Sequence, residues 1–231
     1  MTSPTLNYSQ LIVQTVAMQT AFTLALFVPA GTLAWPTGWF YVAVSFVLGI
    51  AMIVWLIRYS PELLAERVTG LRRADQKEWD KVFVAFIIVG FFSWLAVIGF
   101  DAARFRWSSM PTWLQLVGGI LFLISYYGFY LTFRENPYLS PAVRIQKERG
   151  QTVISTGPYR HVRHPMYAAF ILYVFGTPLM LGSWLGVVWG LLLIVAIARR
   201  AVLEERTLRE ELPGYDDYMA RVPYRLVPGV W

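Results

Sequence analysis

The chain has 231 residues, 57% hydrophobic and 15% charged, and its mean hydropathy of +0.49 is too apolar for an ordinary water-soluble domain, so several membrane spans are expected. With no cysteine and two histidines, the sequence excludes disulfides, thiolate nucleophiles, cysteine-ligated zinc and a histidine-rich metal centre. The net charge of +6 does not point to nucleic acid, because the basic residues fall in loops between apolar stretches rather than along one soluble face.

Four apolar stretches, at about residues 10–33, 38–57, 82–100 and 112–133, are each long enough to cross a bilayer as a helix. The first has neither a basic leading segment nor a small-residue cleavage site, so a retained span is expected rather than a signal peptide. Gln14 and Gln19 inside it are expected to hydrogen-bond to neighbouring helices. After the second span, Ser60-Pro61-Glu62 supplies an N-cap, a proline at the first helical position and an acidic first turn. A short interfacial helix is expected there, with Leu63, Leu64 and Val68 toward lipid. A fifth apolar block, residues 166–197, is too long for one crossing at about 1.5 Å per residue. Gly176-Thr177-Pro178 and Gly182-Ser183 predict a break, hence two shortish helices joined as a hairpin whose ends return to one side. No internal repeat is present. The expected fold is an all-α polytopic membrane bundle of four spans plus a C-terminal hairpin, forming a single domain in which residues 1–133 anchor and 134–231 carry the chemistry.

The charges set an orientation. Arg58, Arg67, Arg72, Arg73, Lys77 and Lys81 follow the second span; Arg134, Arg144, Lys147, Arg149, Arg160 and Arg163 follow the fourth; Arg199, Arg200, Arg206, Arg209, Arg221 and Arg225 follow the hairpin. With both termini cytoplasmic, all three groups obey the positive-inside rule, leaving Arg104 and Arg106 outside. In a prokaryote this would be the cytoplasmic membrane. Trp35, Trp39, Trp107, Trp113 and Trp184 then form an aromatic belt at the opposite interface.

Both histidines lie in the run Gly157-Pro158-Tyr159-Arg160-His161-Val162-Arg163-His164-Pro165-Met166-Tyr167, where a polar loop meets the hairpin. Imidazole, guanidinium and phenol gathered at a lipid boundary mark a functional site. The hairpin returns this run to the neighbourhood of residues 199–212, a helical continuation that should end at Pro213-Gly214. There Arg200 and Glu204, and Glu205 and Arg209, are spaced to pair along one helix face. Alone, such pairs signify a solvated surface; beside the histidine run they signify a partly desolvated polar pocket. Tyr215 and Tyr218 read as packing residues of the tail, and Gln146 and Lys147 as part of the basic loop pattern.

The Gly157-Pro158-Tyr159 turn, then Arg163-His164-Pro165-Met166-Tyr167, then Glu204-Glu205 with Leu208, and finally Gly214-Tyr215 with Tyr218 resemble the isoprenylcysteine carboxyl methyltransferase family, which includes phospholipid methyltransferases. The resemblance covers about the last 100 residues. One departure is Ala169, where the family usually has glycine. The resemblance implies methyl transfer from S-adenosylmethionine to a lipophilic acceptor arriving from the bilayer. It implies cofactor contacts from Gly157, Pro158, Tyr159, His161, His164, Pro165, Tyr167, Glu204 and Glu205, and catalytic roles for Arg163, Arg200 and Glu204. A carboxylate acceptor is already ionised at neutral pH and needs no base; an amine or thiol would need Glu204, Glu205 or His161 to take its proton. The sequence does not choose between these acceptors, and it leaves oligomeric state open. The tail Val222-Pro223-Tyr224-Arg225-Leu226-Val227-Pro228-Gly229-Val230-Trp231 is also similar to the end of NADPH-dependent membrane sterol reductases. A third reading, a non-enzymatic scaffold or transporter, finds little support in spans that carry almost no charge.

Overall fold

The computed structural model describes residues 6–69 and 76–231; Arg72 and Arg73 lie outside the described residues. Among the described residues, eight α-helices follow one another: α1 Tyr8–Ala30, α2 Pro36–Tyr59, α3 Pro61–Thr69, α4 Glu78–Gly99, α5 Thr112–Glu135, α6 Pro165–Leu181, α7 Trp184–Glu211 and α8 Tyr215–Arg221. A π-helical turn, Phe100–Phe105, extends α4. Five of these helices are long and apolar enough to cross a membrane: α1, α2, α4 with its extension, α5 and α7; α6 is apolar but, at 17 residues, shorter. The all-α polytopic expectation holds, and the chain is a multi-pass membrane protein. Alternating helix directions put the described residues of the basic groups at one end of the bundle and Arg104 and Arg106 at the other. Trp35, Trp113 and Trp184 stand at or beside helix starts of that other end, and Trp107 lies in the link between the π-turn and α5.

The hairpin breaks later than the proline suggests. α6 runs unbroken through Gly176-Thr177-Pro178 and stops at Gly182, whose φ of +84° lets its N–H reach Leu179 O and Pro178 O. Ser183 then caps α7, accepting from Gly186 N at 2.8 Å and donating to Asp101 Oδ2 at 2.6 Å. Asp101, fully buried on the π-turn, also accepts from Ser108 Oγ and Leu185 N. A deep acid thus fixes the start of α7, the helix that carries Glu204 and Glu205.

Gly176 serves packing instead of a bend. A Cβ there would lie 2.6 Å from Phe122 N, and one on Gly118 would lie 2.3 Å from Met180 N. α5 and α6 therefore touch backbone to backbone, the close approach that small residues permit in membranes. Farther along the same seam Gly128 faces Ala169, and a Cβ added to this glycine would lie only 2.9 Å from the alanine methyl. The alanine that departs from the family pattern is accommodated by a glycine on the opposing helix. The core around this seam joins Leu26, Trp94, Leu95, Ile98, Phe122, Val174 and Leu193, and a buried hydroxyl pair, Tyr41 and Tyr173 at 2.6 Å, bridges α2 to α6.

Two expectations change. Leu63 and Leu64 of α3 do not face lipid; they are buried against Leu11, Leu56 and Phe133. Glu66 draws the helix inward, its carboxylate paired at 3.0 Å with Arg144 in a contact where both side chains are 2% exposed. Gln14 does bond across helices, to Val68 O at 3.3 Å, whereas the Gln19 amide finds no partner among the described residues. The α5–α6 seam yields a paired test. Gly118→Ala should lower stability by about 1–3 kcal/mol through overpacking, while Gly119→Ala, whose Cβ would have no neighbour nearer than 3.7 Å, should leave the melting temperature of the solubilised protein unchanged.

Candidate active site

At the basic end, the segment between α5 and α6, the C-terminal half of α7 and α8 enclose a cavity of about 880 Å³, open side included. The turn before α6 is built locally. Gly157 adopts a φ of +54°, and a Cβ there would strike the Glu135 side chain at 2.4 Å. Pro158 begins a 3-10 turn, Gly157–Arg160, and Pro165 starts α6 with its ring where no N–H is needed. The tail then pairs with this turn through Arg163 N to Tyr224 O and His164 N to Arg225 O, both 2.9 Å.

The two adjacent glutamates take different positions. Glu205, 3% exposed, is a hub: Arg163 Nε donates to its Oε1 at 2.6 Å, His164 Nε2 meets the same oxygen at 3.2 Å, and Arg225 Nε donates to its Oε2 at 2.8 Å. It does not line the cavity. Glu204 does, and its Oε2 accepts from Tyr167 Oη at 2.6 Å. The His164 ring lies parallel to Tyr167, centroids 5.3 Å apart.

The cations are similarly divided. Arg163 borders the cavity, but its Nη1 also donates to Val222 O and Pro223 O at 2.7 and 2.8 Å, stitching the tail to the turn. Arg200 pairs with Asp80 at 2.9 Å, rather than with Glu204, and donates to Pro141 O at 2.7 Å. Arg209 likewise pairs with Asp216 and not with Glu205. In each case a tertiary partner replaces the expected neighbour one turn away. Asp80, fully buried on α4, also accepts from Val143 N at 2.8 Å, so one carboxylate positions both Arg200 and the cavity loop.

Of the residues singled out in the sequence, Tyr159, Arg163, His164, Pro165, Tyr167, Arg200 and Glu204 line the cavity. Gly157 and Pro158 shape the turn without lining it, and His161 is exposed outside it. Sequence reasoning missed the opposite wall, which includes Asn136, Val143, Ile145, Val153 and Ile154. A signal was present: branched apolar residues in a polar loop have no lipid to face and must cover something internal. Gln146 belongs to this wall's frame; fully buried, it donates to Tyr138 O at 2.6 Å.

Tyr215 and Tyr218 line the cavity too. Tyr218 Oη donates to Tyr159 O at 2.8 Å, whereas the buried Tyr215 Oη has no hydrogen-bond partner among the described residues. Burial raises the pKa of the Tyr159, Tyr215 and Tyr218 phenols well above the usual value, so all three stay neutral hydroxyls across the physiological range. The wall therefore combines neutral aromatic faces, one uncommitted buried hydroxyl, the Glu204 carboxylate, the His164 imidazole and the guanidinium groups of Arg163 and Arg200. The division of the glutamates is testable. Glu205→Ala strands two arginines and should cost about 3–5 kcal/mol of stability, read as a large fall in melting temperature; Glu204→Gln should melt like the parent protein.

Part of the chain is similar to known proteins. Residues 113–213 match the family model described as phospholipid methyltransferase. A stretch of 86 residues is 28% identical to the protein-S-isoprenylcysteine O-methyltransferase of Schizosaccharomyces pombe, covering 36% of this chain and 36% of that relative. The family match runs from the first turn of α5 to the turn before α8 and takes in the His164 turn and both glutamates. Residues 113–213 are thus similar to the phospholipid methyltransferase family, and the matched stretch spans about a third of the length of the curated relative.

Proposed function

We propose that the protein is an integral membrane methyltransferase that takes S-adenosylmethionine in the cavity at the basic end and acts on a lipophilic acceptor arriving from the bilayer. The observation that carries this reading is the orphaned Tyr215 hydroxyl in the cavity wall, set with the Glu204 carboxylate among neutral aromatic rings. S-adenosylmethionine supplies an activated methyl group on a sulfonium, together with a carboxylate, an ammonium, a ribose and an adenine. Glu204 would accept from the ammonium or the ribose hydroxyls, and His164 and Tyr215 would donate to the carboxylate. Tyr159, Tyr167 and Tyr218 offer ring faces suited to a flat base and to a cationic centre. Gly157, Pro158 and Pro165 hold the turn in shape.

Glu205 and Arg163 act in this reading as positioning residues, because their charges are engaged with one another, with His164 and with the tail. Arg200 is the cation at the cavity wall that an acceptor carboxylate would meet, its direction set by Asp80. A carboxylate acceptor, as in an isoprenylcysteine, arrives ionised, and the chain then needs only to orient it and exclude water. For a lipid amine or a small thiol, Glu204 is the base within the cavity, whereas His161 lies outside it. The basic end is assigned to the cytoplasm by its excess of lysine and arginine.

The test is binding. Purified protein should bind radiolabelled S-adenosylmethionine and not NADPH, and the reverse selectivity would replace this reading with the reductase one. Tyr215→Phe should weaken binding about five- to tenfold, the effect of one lost hydrogen bond, without a change in melting temperature, since that hydroxyl has no protein partner among the described residues.

A further inference from the structure

A second concavity lies away from the candidate active site, on the lipid-facing side between α1, α2, α5 and α6. It encloses about 790 Å³, open side included, and its apolar walls include Phe22 and Ile50. Gln19 and Ser45 also line it. Gln19 sits at the midpoint of α1 and Ser45 close to the midpoint of α2, which places both near the centre of the bilayer if these helices cross it. The Gln19 amide makes no side-chain hydrogen bond among the described residues, and the buried Ser45 hydroxyl, beside the Tyr41 and Tyr126 phenols, makes none of good geometry. Unpaired groups at such depth are costly, because hydrocarbon offers neither donor nor acceptor. Phospholipid acyl chains carry no polar atom there, so bulk lipid leaves that cost in place.

Gly49 also lines the groove. A Cβ built on it meets nothing within 4 Å, in contrast to Gly118 and Gly176, so this glycine leaves space that no protein atom uses. Close helix packing does not explain it.

We propose that this groove is a binding site for an elongated neutral lipophile that carries one carbonyl or hydroxyl group, held at mid-depth by the Gln19 amide and the Ser45 hydroxyl. The amide offers two donors and an acceptor and the hydroxyl one of each, so either group on the ligand is matched. The apolar walls receive its chain. This site is independent of the methyltransferase reading, and its test requires no cofactor.

The full-length protein in lipid nanodiscs would be irradiated with a photoreactive long-chain ketone, its carbonyl at mid-chain, and separately with the matching photoreactive alkane; labelled peptides would be mapped by mass spectrometry. The ketone should label α1 and α2 about tenfold more than the alkane, the advantage of hydrogen bonding in a membrane interior. Gln19→Leu should bring the two probes level. Gly49→Leu should abolish labelling by both, with melting temperature reporting that the bundle is intact; should that variant fail to fold, Gln19→Leu still decides. Equal labelling of the parent protein by the two probes, an undiminished ketone preference in Gln19→Leu, or α1 crosslinks to a second copy in place of lipophile labelling would each overturn the proposal.

Discussion

One buried carboxylate holds the basic end of this bundle together. Glu205 receives Arg163 from the turn before α6, Arg225 from the tail and His164 from the α6 N-cap position, so three segments converge on two oxygens of α7. Removing the Arg163 guanidinium, and part of the Arg225 one, from water is costly, and the cost is offset because the anion is shared at short distance and Nη1 of Arg163 reaches the backbone carbonyls of the tail. The cluster therefore acts as a geometric lock. The positions of His164 and, one residue away, Glu204 follow from it.

The same device recurs around the cavity. Asp80 joins α4 to Arg200 and to the backbone of Val143, and Glu66 joins α3 to Arg144. Each buried acid comes from a different helix and fastens part of a segment that has little regular structure of its own, between residues 136 and 156. A loop at a membrane boundary must satisfy its backbone without a helical ladder, and these acids, with Gln146, supply the partners. The frame holds Arg200 and His164 in place at the cavity wall, beside Glu204, the Tyr215 hydroxyl and the aromatic rings. That arrangement underlies the proposed use of the site for a cofactor that combines charge, hydroxyls and a flat base.

Much of the architecture is legible in the sequence. Hydropathy is additive along a helix, so the spans and the fifth, overlong apolar block can be read without knowing what touches what. The glycine and serine that end α6 and begin α7 work through their own backbone and side chain, so Gly182-Ser183 is also local information. Pro178 misled for a related reason. A proline near a helix C-terminus disturbs few hydrogen bonds, and Gly176 beside it serves the α5 contact, which no local pattern reveals.

The motif turn, the paired glutamates and their meeting through the hairpin were thus determined by sequence alone. Which glutamate faces the cavity was not: consecutive helix residues point about 100° apart, and the rotation of α7 is set by packing and by the Asp101 cap at its far end. The choice of partners was equally tertiary, since Arg200 meets an acid 120 residues distant in preference to one a single turn away. Sequence specifies the groups and the distances along the chain. Only the folded bundle decides which charges are used up in holding the frame and which remain to meet a ligand, because that depends on how the helices are turned and how closely they approach.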